Sequence, residues 1–146
     1  MAERIAQKMA EDTGLTCVNF TSAAVLRDEA GNPMDPRAVR VLQRGGYRAA
    51  GHRAHQITAG EIRDADLVVG MEPRHIERMQ RLVPSATNLR LITDFDPDAA
   101  PGSGIEDPWY GPESGFEVTR AALERAVPGV LDWVRSRQNA DKDSGN

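Results

Sequence analysis

Residues 66–82 read D-L-V-V-G-M-E-P-R-H-I-E-R-M-Q-R-L. The first five, D-L-V-V-G, are a short apolar run closed by glycine, the pattern of a buried strand. The helix that follows covers 73–82, and N-L-R-L-I (88–92) is a further apolar run of strand length. Strand, helix and strand in direct succession make a crossover unit, which joins parallel neighbours.

The same alternation extends towards the N-terminus. Thr58 with Glu61 fits a capping box that opens a short helix. Asp35 followed by Pro36 reads as an N-cap with proline at the first helical position, and that helix ends at Gly45-Gly46. D-E-A-G-N-P-M-D-P (28–36) carries turn chemistry throughout. L-T-C-V-N-F-T-S (15–22) reads as a strand with Cys17 buried in its middle. Met1, Ile5 and Met9, with Ala2, Ala6 and Ala10 beside them, mark an amphipathic first helix. Towards the C-terminus a last helix over 116–137 presents Val118, Leu123, Val127, Val130 and Val134, and Pro128 inside it predicts a kink or break. The fold class is therefore α/β with a mostly parallel sheet.

Composition narrows the function. The chain has 146 residues, one ordinary domain, with a formal net charge of −4. That balance excludes a general nucleic-acid binder, whose phosphate contacts need a basic face. No apolar run approaches the roughly 20 residues of a membrane span, and no signal-peptide pattern opens the chain, so a cytoplasmic protein is expected. Its one cysteine makes no internal disulfide, and no Cys/His spacing suggests a metal site.

Residues 93–115 read as a loop too long to be a mere connection. Within and just beyond it lies I-E-D-P-W-Y-G-P-E-S-G-F (105–116), two adjacent large aromatics beside Asp107. In open α/β sheets, ligands sit beyond the carboxyl ends of the strands, where this loop would lie. Asp107 is thus a candidate for proton transfer, and Trp109 and Tyr110 are flat walls for a planar ligand. A packed loop with a capping Asp and aromatics plugging the edge of the core fits the same residues equally well.

I-E-D-P-W-Y-G resembles the acid loop of the low-molecular-weight protein tyrosine phosphatases. S-A-A (22–24), G-N-P-M-D-P-R-A (31–38), G-H-R-A-H-Q-I-T (51–58), D-L-V-V-G-M-E (66–72) and D-F-D-P (94–97) are similar to the same family, in the same order. The resemblance implies a three-layer open parallel sheet flanked by helices. It also implies hydrolysis of phosphotyrosine proteins or small aryl phosphates through a cysteinyl-phosphate, without a cofactor. On its terms Asp107 is the general acid, Trp109 and Tyr110 flank the substrate ring, and Ser22 and His52 support the phosphate loop from behind. Glu106, His55 and His75 read as surface residues. Asp28, with Arg27 beside it, falls where family members often carry a pocket aromatic, which puts substrate preference in question.

The family's nucleophile loop, Cys-x-x-Gly-Asn-x-Cys-Arg-Ser-Pro, has no counterpart here. The only cysteine is Cys17, and position 23, where the arginine of a Cys-x5-Arg motif would fall, is alanine. The chain opens M-A-E-R-I-A-Q, which resembles the residues following that loop. The expectation is an N-terminally incomplete phosphatase-like domain over 1–137, its first central strand absent, with a polar flexible tail over 138–146. Two other readings stand beside it, an inert phosphatase-like binding module and a related arsenate reductase. The aromatic pair disfavours the reductase, because flat walls suit an aryl ester better than a small oxyanion.

Overall fold

The computed structural model describes residues 1–25 and 31–144. Its centre is the expected crossover unit. Strand β1 (Val68–Gly70) and strand β2 (Leu89–Leu91) pair in parallel, with Val68 opposite Leu89 and Gly70 opposite Leu91, and a helix over Pro73–Leu82 joins them. Among the described residues four more helices surround the pair. In chain order α1 is Ala2–Asp12, α2 is Pro36–Arg44, α3 is Ala59–Asp64, α4 is the crossover helix and α5 is Ser114–Ser144.

Alternate residues of a strand face opposite sides, and here that alternation sorts the helices into two layers. Leu67, Val69 and Met71 pack on a core built from Ile5, Ala6 and Ala10 of α1, Leu42 of α2, and Leu123, Ala126 and Val127 of α5. Val68 faces the other way, onto Ile62 of α3, Met79 of α4, Val83 and Leu89. The chain is thus a small parallel sheet with helices on both faces.

Local chemistry sets the helix starts. Asp35 accepts the Arg37 N–H at 2.8 Å and Pro36 occupies the first turn of α2. Thr58 and Glu61 complete both arms of the capping box on α3.

Four expectations need correction. Residues 15–22 form no strand; the nearest pairing is a single parallel bridge between Ala24 and Gln56. A strand needs a neighbouring ladder, and among the described residues none runs beside this segment. Cys17 is exposed rather than buried, and its φ of 59° lies in the left-handed region, which no strand tolerates. Finally, α5 passes through Pro128 and on to Ser144, over residues expected to form a tail. Buried Leu123, Ala126, Val127, Val130 and Leu131 hold it on both sides of the proline. Gln138 pins its far end by donating to the carbonyls of Thr16 at 2.8 Å and Cys17 at 3.3 Å. Val118, assigned to the buried stripe, is 69% exposed.

Candidate active site

The D-P-W-Y loop is fastened to the ends of the strands. Beyond β2 the chain enters a 3-10 turn over Ile92–Phe95, whose buried Thr93 accepts the Gly104 N–H through its hydroxyl at 3.1 Å. The next amide, Ile105 N–H, donates to the Met71 carbonyl just past β1, at 2.7 Å. Gly104 has φ +68°, and a Cβ there would stand 2.7 Å from the Met71 carbonyl oxygen. Only glycine permits both the backbone turn and this approach. The loop therefore sits at the carboxyl ends of both strands, where open α/β sheets place ligands.

Within the loop, Asp107 caps a 3-10 turn over Pro108–Tyr110, its Oδ1 accepting the Trp109 N–H at 3.0 Å. Its Oδ2 has no hydrogen-bond partner among the described residues, and the side chain lies at the surface. Trp109 is 51% exposed and Tyr110 97% exposed, so neither aromatic plugs the core. Glu106 is exposed and makes no ion pair among the described residues.

Arg37, on the first turn of α2, reaches across to this turn. It donates to the Trp109 carbonyl at 2.9 Å and the Gly111 carbonyl at 2.8 Å. Its Nε and Nη2 also hold both oxygens of Asp35, at 3.2 and 2.9 Å. The hydrogen-bonded Asp35 carboxylate raises the Arg37 pKa, and Arg37 in turn holds Asp35 below the ordinary carboxylate range. Further along α2, Arg40 and Arg44 pair with Glu113, immediately before α5.

Ser22 and His52 come together on a third residue, Glu3. The Ser22 hydroxyl donates to Glu3 Oε2 at 2.5 Å, and His52 Nδ1 lies 3.5 Å from the same oxygen. Burial lowers the His52 pKa, against the pull of the Glu3 carboxylate. His55 is a surface residue bonded to Glu61 at 2.8 Å. His75 is not on the open surface: its side chain is 22% exposed, its Nδ1 accepts the Glu72 N–H at 3.3 Å, and burial lowers its pKa. Its place in the first turn of α4, over the Glu72 N-cap, encloses it. Arg27 and Asp28 lie outside the described residues. No three His, Cys, Asp or Glu side chains among the described residues gather to hold a metal.

Cys17 does not belong to this constellation. Its carbonyl is held by Gln138, whereas the D-P-W-Y turn meets the other end of α5, where a Cβ on Gly115 would touch Pro108 Cβ at 3.2 Å. From Gly115 to Gln138 the helix rises roughly 35 Å. The thiol is far out of reach of Asp107.

Against this geometry, comparison with known proteins is decisive. The sequence model described as low molecular weight phosphotyrosine protein phosphatase matches residues 1–141. The chain belongs to that family. Low molecular weight protein-tyrosine phosphatase A of Mycobacterium tuberculosis is 35% identical over 139 residues, covering 94% of this chain and 84% of the relative. A low molecular weight protein-tyrosine-phosphatase of Streptomyces coelicolor is 34% identical over 142 residues, covering 94% and 86%. Among solved structures, the protein tyrosine phosphatase of Entamoeba histolytica superposes with a TM-score of 0.87 over 94% of this chain and 88% of its own, at 20% identity, a likeness of fold. The Erwinia amylovora tyrosine phosphatase amsI, 26% identical, gives 0.76 over 92% and 82%.

Two residues of this family member escaped the sequence reading. Arg37 stood in the quoted P-R-A run, but its partners lie 72 and 74 residues away. Glu3 stood in the first turn of α1, and only the fold brings Ser22 and His52 to it.

Proposed function

We propose that this chain supplies the proton-transfer and substrate-wall part of a phosphotyrosine phosphatase, acting on phosphotyrosine proteins or small aryl phosphates. Hydrolysis through a cysteinyl-phosphate then requires a Cys-x5-Arg loop, a motif these 146 residues do not contain. The observation that carries the reading is the exposed pair Trp109 and Tyr110 beside a carboxyl group with one unengaged oxygen. A domain gains nothing from leaving two large aromatics in water at its strand ends, whereas an aryl ring stacked on them gains about 0.5–1.5 kcal/mol per aromatic pair.

In this scheme the Asp107 carboxyl protonates the departing phenolate as a thiolate forms the S–P bond and the aryl P–O bond breaks. Asp107, now a carboxylate, takes a proton from the water that attacks phosphorus and releases the thiolate and phosphate. Ser22 and His52, joined through Glu3, brace the phosphate loop from behind.

The test has two arms. The chain alone should not hydrolyse para-nitrophenyl phosphate, and Cys17→Ser should change nothing, since Cys17 lies at the wrong end of α5. Fused to a Cys-x5-Arg strand and loop, the protein should hydrolyse aryl phosphates. In that fusion Asp107→Asn should lower kcat about 10²–10⁴-fold for poor leaving groups and much less for activated esters. Equal losses on both substrates would remove Asp107 as the acid. A fusion that binds phosphotyrosine peptides without turnover would favour the inert binding module.

A further inference from the structure

Arg37 uses four of its five N–H donors on two targets, and the targets explain each other. Two hold Asp35, the residue that caps α2 and accepts the Arg37 amide. The other two hold the carbonyls of Trp109 and Gly111. The guanidinium also lies over the Phe116 ring, 4.7 Å from its centroid, and 5.7 Å from that of Trp109. A planar fork can satisfy two carbonyls and a carboxylate at once; an ammonium cannot.

The platform beneath is rigid. Val41 and Leu42 of α2 are fully buried and Ala38 nearly so. The loop's own backbone bonds here are local, Gly111 N–H to the Pro108 carbonyl at 3.0 Å and Gly115 N–H to the Pro112 carbonyl at 2.9 Å, and Trp109 and Tyr110 face water rather than anchor it to the core. The Trp109 residue is therefore gripped on both sides. Its N–H is held by the Asp107 carboxylate and its C=O by Arg37. If the carbonyl side is released, the turn keeps its internal Gly111 to Pro108 bond but loses its anchor on α2, and the amide that orients the Asp107 carboxylate is no longer fixed in place. Arg40 and Arg44 tether the same loop through Glu113, but these exposed pairs are screened by salt and leave the turn itself untouched.

We propose that Arg37 is the positioning residue of the Asp107 turn, holding the Trp109 and Gly111 carbonyls from α2 so that the Asp107 carboxyl points where proton transfer needs it. The inference rests on the reading of Asp107 as the acid, but its test does not require turnover.

The Trp109 amide reports the Asp107 carboxylate directly, so its hydrogen exchange is the measurement, with the Leu123 amide in the core of α5 as the reference for global opening. In the full chain, Arg37→Met should speed exchange at Trp109 about tenfold while Leu123 is unchanged, as expected for loss of two charge-assisted bonds. Arg37→Lys keeps the charge but not the fork, and should give a smaller rise, about threefold. Should Arg37→Met unfold the chain, Arg37→Lys decides alone. Exchange at Trp109 that is unchanged in Arg37→Lys, or that rises only in step with Leu123, overturns the proposal. Loss of the Asp107→Asn effect in the fused enzyme would remove the acid assignment and leave the clamp standing.

Discussion

Gly104 and Gly102 offer a matched pair of substitutions that weighs the fastening of the loop. Both have positive φ, +68° and +74°, so alanine at either position meets the left-handed penalty of about 1–2 kcal/mol. There the likeness ends. A Cβ on Gly102 meets nothing within 4 Å, whereas on Gly104 it stands 2.7 Å from the Met71 carbonyl oxygen, 3.1 Å from Pro73 Cδ and 3.2 Å from Glu72 Cα. These are backbone and ring atoms that cannot swing aside. The clash adds the usual overpacking cost of about 1–3 kcal/mol. Displacing the loop also weakens the Ile105 N–H bond to Met71, another 0.5–1.5 kcal/mol or about that. Gly104→Ala should therefore cost about 1.5–4.5 kcal/mol more than Gly102→Ala. Urea unfolding followed by circular dichroism resolves this: at an m-value of about 1–3 kcal/mol per M, the midpoints should separate by about 0.5 M or more. If the two alanine variants melt together, the seat of the loop on the end of β1 is wrong, and with it the placement of Asp107.

Other outcomes follow from the same geometry. Thr58→Ala removes one arm of the α3 capping box and should cost about 1 kcal/mol, with Thr58→Ser close to neutral, by urea midpoint. Leu123→Ala, on α5 and 1% exposed in the core it shares with α1, should cost about 2–5 kcal/mol in the same assay. His52 and His75 both have folded pKa values lowered from 6.5, chiefly by burial. The unfolded chain then binds more protons than the folded one between the two values, so stability should be full above about pH 6.5 and decline as pH falls through the folded pKa values. Replacing His52 with Gln should flatten that decline in a pH series of melts; an unchanged slope would mean that His52 is not buried as described.

Local chemistry was legible in the sequence and distant contact was not. Asp35-Pro36 and Thr58 with Glu61 announce α2 and α3 because caps act within four residues. The 68–91 crossover is equally readable, since its strands are apolar and its helix lies between them. Residues 15–22 misled because β-branched composition says only that a segment suits a sheet, while a ladder needs a neighbour. Polar residues 138–144 extend α5 because Gln138 finds carbonyls 121 and 122 residues earlier in the chain. In the candidate site, Asp107, Trp109 and Tyr110 stand side by side in the sequence, so their nearness needs no fold to reveal it. Glu3 and Arg37, which gather and brace their neighbours, depend on α1 and α2 being folded against the rest.

Cys17 lends itself to a use that has nothing to do with phosphorus. It is the sole thiol, it is exposed, and it lies beside the end of α5 remote from the D-P-W-Y turn. A maleimide surface would therefore grip every molecule at one point and in one orientation. Trp109 and Tyr110 would face outward into solution on all of them, an array on which candidate phosphotyrosine peptides could be compared side by side.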